Sequence, residues 1–200
     1  MANRIGIEFS EKMEGGLAMG ALDFKRGEKE GKKEGSVLTM HATITIPDMD
    51  RFLEERDHAG GLAGTIDFSP FGEGIPTVNG QFNLFSPTAN PELKLMVYEF
   101  GFNHNDQDYY FYGKKEVRND PAFDLWTDTT TLFSTLHKGT DTSGAIAGAG
   151  ILTLGIVDLI RLVKSMKAIN VVGNKERVDA FTKFGRFFLG ELWDTYVKHA

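Results

Sequence analysis

The chain predicts a mainly β fold, an antiparallel β-barrel or closed sandwich with a short helix and C-terminal helices. Three observations carry that prediction. Eight or nine short strand-like segments recur at roughly ten-residue spacing through about residue 140, the rhythm of antiparallel all-β folds. Glycine supplies 23 of 200 residues, enough for many tight turns, and 16 Phe supply rings for a pleated interior. Beyond about residue 150 the apolar spacing turns helical. Two hundred residues fit one domain, β-rich over 1–140 and helical over 150–198.

In chain order, residues 4–9 (RIGIEF) and 16–24 (GLAMGALDF) read as two strands separated by a polar SEKMEG turn. The run KRGEKEGKKEG at 25–35 reads as an exposed hairpin loop, since mixed charges and three glycines do not fill a core face. Residues 36–46 alternate cleanly and predict a half-buried strand with Leu38, Met40, Ala42, Ile44 and Ile46 inward. Pro47 ends it, and Asp48 is placed to cap a short helix through MDRFLEER. A strand follows over Gly60–Phe68, then a turn at SPFGEG. Four more strands are predicted at Thr77–Phe85, Glu92–Phe102, Asp108–Arg118 and Thr129–Leu136, with NHNDQ (103–107) as a hairpin turn. GGLAMGALDF (15–24) and GGLAGTIDF (60–68) echo one another, as equivalent strands or by coincidence.

The most apolar stretch is Gly144–Met166. Asp158 and Arg161 interrupt it and its first residues are Gly and Ala, which argues against a membrane span. From about Leu154 a packed helix is expected, with Ile156, Val157, Ile160, Leu162, Val163 and Met166 buried and Asp158, Arg161, Lys164 and Lys167 outward. Membrane-surface contact and the wall or lid of a ligand pocket are the alternatives. Lys175–Lys198 predicts a long amphipathic helix, Asn174 its cap, with Val178, Phe181, Phe184, Phe187, Phe188, Trp193 and Tyr196 on the apolar stripe.

Composition narrows the function classes. With 22 basic and 28 acidic residues the net charge is -6, which argues against general nucleic-acid binding. No cysteine is present, so disulfides and thiolate metal sites are excluded and a cytoplasmic location is expected. None of His41, His58, His104, His137 and His199 has a zinc-like spacing, and no metal is expected. Neither glycine set, GGLAGT or GAIAGAG, has the Lys-Ser/Thr of a P-loop or a βαβ context, and no cofactor is expected.

Two regions are candidates for a site. The bulky face of KLMVYEFGF offers Tyr98 and Phe100 to a core or an enclosed pocket. Tyr109–Phe133 is the densest mixture of polar and aromatic residues. It adds Tyr110, Tyr112 and Trp126 as ligand-binding candidates, and Lys114, Arg118, Asp124 and Asp128 as a polar cluster. Asp124 and Asp128 read as acid and base or, more simply, as turn caps or partners of Arg118.

The run GKKEVRNDPAFDLWTDTTTLFSTL with GAGILTL, and upstream FSEKMEG, ITIPDMDRFL and GQFNLF, resembles an accessory segment. That segment occurs in some bacterial cholesterol oxidase-like proteins of the glucose–methanol–choline oxidoreductase family. The likeness covers roughly residues 8–165 and excludes the FAD-binding core, so no catalytic residue of the family maps onto this chain. The resemblance implies a soluble accessory or binding module for a lipid or sterol-like molecule, partnering an oxidoreductase. A small enzyme using Asp124, Asp128, Tyr110 or His41 on a hydrophobic substrate is the alternative. A third is a protein–protein interaction domain that forms homo-oligomers through the C-terminal helix.

Overall fold

A computed structural model describes residues 4–118 and 129–196, with side chains to Glu191. Strands run over Gly6–Met19 (β1), Val37–Ile46 (β2), Ala59–Phe68 (β3), Gly72–Pro76 (β4) and Val78–Pro87 (β5). They continue at Leu93–His104 (β6), Gln107–Arg118 (β7), Thr131–Lys138 (β8), Ile146–Thr153 (β9) and Lys167–Ile169 (β10). Helices span Phe24–Glu34 (α1), Met49–Glu54 (α2), Ile156–Ser165 (α3) and Asn174–Tyr196 (α4). β1, β2, β3 and β5 to β9 pair antiparallel in chain order, and β9 returns to β1, closing an eight-stranded barrel. β4 pairs only with β3, folding back as a short flap.

The expected alternation holds on β2, whose Leu38, Met40, Ala42, Ile44 and Ile46 are buried. Asp48 caps α2, accepting from the Arg51 N–H as the sequence predicts. The β6–β7 hairpin turns at Asn105 and Asp106, both with positive φ (52° and 61°), the primed geometry that matches strand twist.

The first part of the chain departs from expectation in two places. The polar SEKMEG stretch is not a turn but the middle of the 14-residue β1. Ser10, Lys12 and Glu14 point outward while Glu11 and Met13 face the interior, a period of two that polar residues conceal. The charged run at 25–35 is not a loop but helix α1. Asp23 caps it, Gly35 closes it in the left-handed region, and Arg26–Glu30 and Glu28–Lys32 pair one turn apart. Its buried positions are Gly27 and Gly31; a Cβ on Gly27 would stand 2.0 Å from the Ala149 carbonyl oxygen, so only glycine lets the helix lie on the wall. That wall is β9, where the glycine-rich lead-in of the apolar stretch forms a strand buried on both faces. The paired GGLA segments are therefore not equivalent: the first ends β1 and leads to a helix cap, whereas the second lies wholly within β3.

Among the described residues the barrel wall is interrupted beside β1. β1 pairs with β10 through Gly6–Glu8 and with β9 from Glu14 onward, leaving the edge between them without a strand partner. Helix α3 fills it. Ser165 Oγ accepts from the Ser10 N–H at 2.8 Å and also contacts the Ser10 carbonyl, so one hydroxyl serves the bare edge. This seating reverses part of the expected helix. Leu159, Leu162 and Met166 pack inward, while Ile156, Val157, Ile160 and Val163 are 66%, 59%, 50% and 62% exposed. Asp158 is turned into an ion pair with Arg161 instead of pointing freely outward.

Helix α4 lies across the adjacent end of the barrel and begins at Asn174 itself. Phe184 packs on Phe9 of β1, Phe187 on Phe52 of α2, and Phe188 on Phe85 of β5. Lys183 pairs with Asp50 of α2 at 2.7 Å, and Lys94 of β6 pairs with Glu191. Among the described residues no helix is long and apolar enough to cross a membrane.

Candidate functional site

The two ends of the barrel interior are filled differently. At one end rings close the space: Phe100 stacks on Phe111 at 4.7 Å, Phe102 on Tyr109 at 5.5 Å, and Phe71 covers Phe68 and Phe102. Toward α3 and α4 the interior remains open as a cavity of about 810 Å³. That volume lies within the range of about 300–1,000 Å³ typical of small-molecule sites.

Each wall follows from strand parity. Inward positions of β1 supply Phe9 and Glu11, those of β6 supply Met96 and Tyr98, and β7 supplies Lys115. β5 supplies Phe82 and Leu84, and a register shift after Asn83 turns Phe85, at φ 53°, toward Phe187 and Phe188 of α4. Leu159 and Leu162 of α3, and Met166 just after it, enter through the wall gap, and Phe181, Phe184 and Phe188 of α4 close the top. Val163 and Leu189 line the cavity yet are 62% and 67% exposed, which locates its mouth between the two helices.

Three polar groups meet in this apolar space. Lys115 Nζ lies 3.1 Å from Glu11 Oε1 and 3.1 Å from the Tyr98 hydroxyl, which donates to Glu11 Oε2 at 2.8 Å. The ammonium also sits 4.9 Å from the centre of the Tyr98 ring. The Glu11 and Lys115 side chains are 2% and 3% exposed. Burial, with the negative charge of Glu11 beside it, pushes the Tyr98 hydroxyl well above its ordinary value of 10.0 and keeps it protonated. The cluster is balanced in charge, as a buried site requires.

The sequence candidates separate by parity. Tyr98 lines the cavity, whereas Phe100 lies beyond it in the stacked end. Tyr110, Tyr112 and Lys114 occupy the other face of β7, outside the barrel, because even-numbered residues of that strand point away from the interior. There burial and a hydrogen bond to Glu99 raise Tyr110 to about 12, and burial raises Tyr112. Lys114 and Arg118 both pair with Glu116 along this outer face, forming a surface ladder. Trp126, Asp124 and Asp128 lie outside the described residues. His41 is also outside the barrel, 3.0 Å from Asp67.

Sequence reasoning missed Glu11 and Lys115. The available signal was a charged residue at an inward parity position of each strand, Glu11 between Phe9 and Met13, Lys115 between Phe111 and Val117. Compared with protein families, curated proteins and solved structures, the chain finds no match.

Proposed function

We propose that the protein is a soluble, cytoplasmic binding module for a hydrophobic small molecule of lipid or sterol-like character. One observation carries the reading: an 810 Å³ cavity walled mainly by aliphatic and aromatic side chains, with a mouth between two helices. The resemblance to a cholesterol oxidase-like accessory segment supports the same ligand class and suggests an oxidoreductase as the protein that receives or supplies the ligand. The exposed apolar face of α3 beside the mouth supports contact with a membrane surface during loading.

The test is extraction and mass spectrometry of the purified protein, paired with thermal melting against sterols, fatty alcohols and fatty acids. A co-purified hydrophobe, or a melting point that rises with ligand concentration, is expected. A protein that carries none and melts identically with all three classes contradicts the reading.

The Glu11–Tyr98–Lys115 cluster supports a second reading, a small enzyme acting on a hydrophobic substrate. Its three groups are engaged with one another, an arrangement suited to holding a ligand more than to exchanging protons with it. Conversion of an added ligand to a product of different mass would reverse that preference.

A further inference from the structure

The cavity is walled mainly by apolar side chains, with Thr129 and Thr130 among its lining residues, and its charged groups meet at one place. A lysine ammonium has three N–H donors. Among the described residues the bonds of Lys115 go to Glu11 Oε1 and the Tyr98 hydroxyl, which account for two. The Tyr98 hydroxyl spends its proton on Glu11 Oε2. The cluster can therefore offer a further donor to the cavity, while each carboxylate oxygen of Glu11 already accepts one bond. Its net charge is zero, because the carboxylate balances the ammonium, so an incoming anion would meet Glu11 as well as Lys115. The protonated Tyr98 adds no charge.

We infer that the ligand enters with a neutral oxygen, a hydroxyl or a carbonyl, as its leading group. Lys115 receives that oxygen beside Tyr98, the hydrocarbon fills the space between the barrel and α3 and α4, and free carboxylates are disfavoured. The inference rests on the proposed binding role and specifies the chemistry of its ligand. A hydrogen-bond donor at the closed end of an apolar cavity discriminates strongly, because a ligand lacking the acceptor leaves the donor unpaired.

The probe is Nile red, an uncharged apolar dye, bound to the full-length protein and displaced by 1-decanol, decane or decanoate. Decanol is expected to displace it at about one-tenth the concentration that decane requires, and at lower concentration than decanoate. In the Glu11→Gln/Lys115→Met variant, which removes both charges together, the advantage of decanol over decane should fall below about threefold. Lys115→Met alone leaves a buried carboxylate without its cation, so the double variant is the informative one. Equal displacement by decanol and decane, or strongest displacement by decanoate, overturns the inference and leaves the binding role intact. An advantage of decanol that survives in the double variant overturns it too. Failure of the native protein to bind the dye and all three competitors overturns the binding role itself.

Discussion

Lys115 Nζ stands 3.1 Å from Glu11 Oε1, tying β7 to β1 across the barrel interior through two side chains almost wholly removed from water. Ion pairs so placed contribute little net stability as a pair and are costly to break singly. The first prediction follows. Lys115→Met should lower unfolding free energy by about 3–5 kcal/mol in urea titration, and Glu11→Gln/Lys115→Met should recover at least about 2 kcal/mol of that loss. Equal losses in the single and double variants would mean that the pair is not coupled in the folded protein.

Gly27 of α1 gives a prediction opposite to helix propensity. In a free helix Gly→Ala stabilises by about 1 kcal/mol. Here the added methyl would stand 2.0 Å from the Ala149 carbonyl oxygen, so Gly27→Ala should instead destabilise by about 1–3 kcal/mol through displacement of α1 from β9. Gly190, which faces open space on α4, is the control: Gly190→Ala should be neutral or stabilising in the same thermal melts.

His58 sets a pH dependence. Its imidazole lies between the rings of Phe52 and Phe187, and its buried Nδ1 has no hydrogen-bond partner among the described residues. Burial lowers its pKa from 6.5 against the opposing charges of Glu191 and Asp57, with Lys94 reinforcing the decrease. The fold thus favours the neutral ring. Below 6.5 the unfolded chain takes a proton that the folded protein resists, so stability falls with pH from 6.5 down to the depressed value and is flat beneath it. His58→Asn, which suits the positive φ of 44°, should flatten the urea midpoint between about pH 7.5 and 5.5. An unchanged slope in that variant would assign the dependence to other groups.

How far the sequence reveals this molecule depends on whether parity or composition carries the signal. β2 is legible because its inward residues are apolar and its outward residues polar, so period and chemistry agree. β1 is not, because Glu11 faces inward among Ser10, Lys12 and Glu14, and its neutralising partner is 104 residues away in the chain. In β7 the neighbours Lys114 and Lys115 are identical in composition and opposite in role, one on the outer ladder and one in the cavity. Only the register against β6, where Lys115 stands opposite Met96 and Lys114 opposite Val97, separates them. Helix α1 escapes notice for another reason: its packing face is two hydrogen atoms wide, at Gly27 and Gly31, and the rest of its surface is charge. The cavity itself is a property of closure, formed only when segments of β1, β5 to β7, α3 and α4 meet.

The seam where Leu17 of β1 meets Gly150 of β9 also fixes an order of assembly. The pairings from β1 to β2 and on through β3 and β5 to β9 join neighbours in the chain and can form as it grows, but this one, like the β1–β10 pairing, joins distant strands, here about 130 residues apart. On a ribosome adding about 5–20 residues per second, β1 waits on the order of ten seconds with one edge bare. Lys12 and Glu14, charged and outward on that waiting strand, are placed where they discourage pairing with a neighbouring nascent chain. The meeting of β9 with β1 and the docking of α3 against Ser10 are followed by β10 and α4, so the binding chamber is complete only once synthesis has passed the residues that seal it.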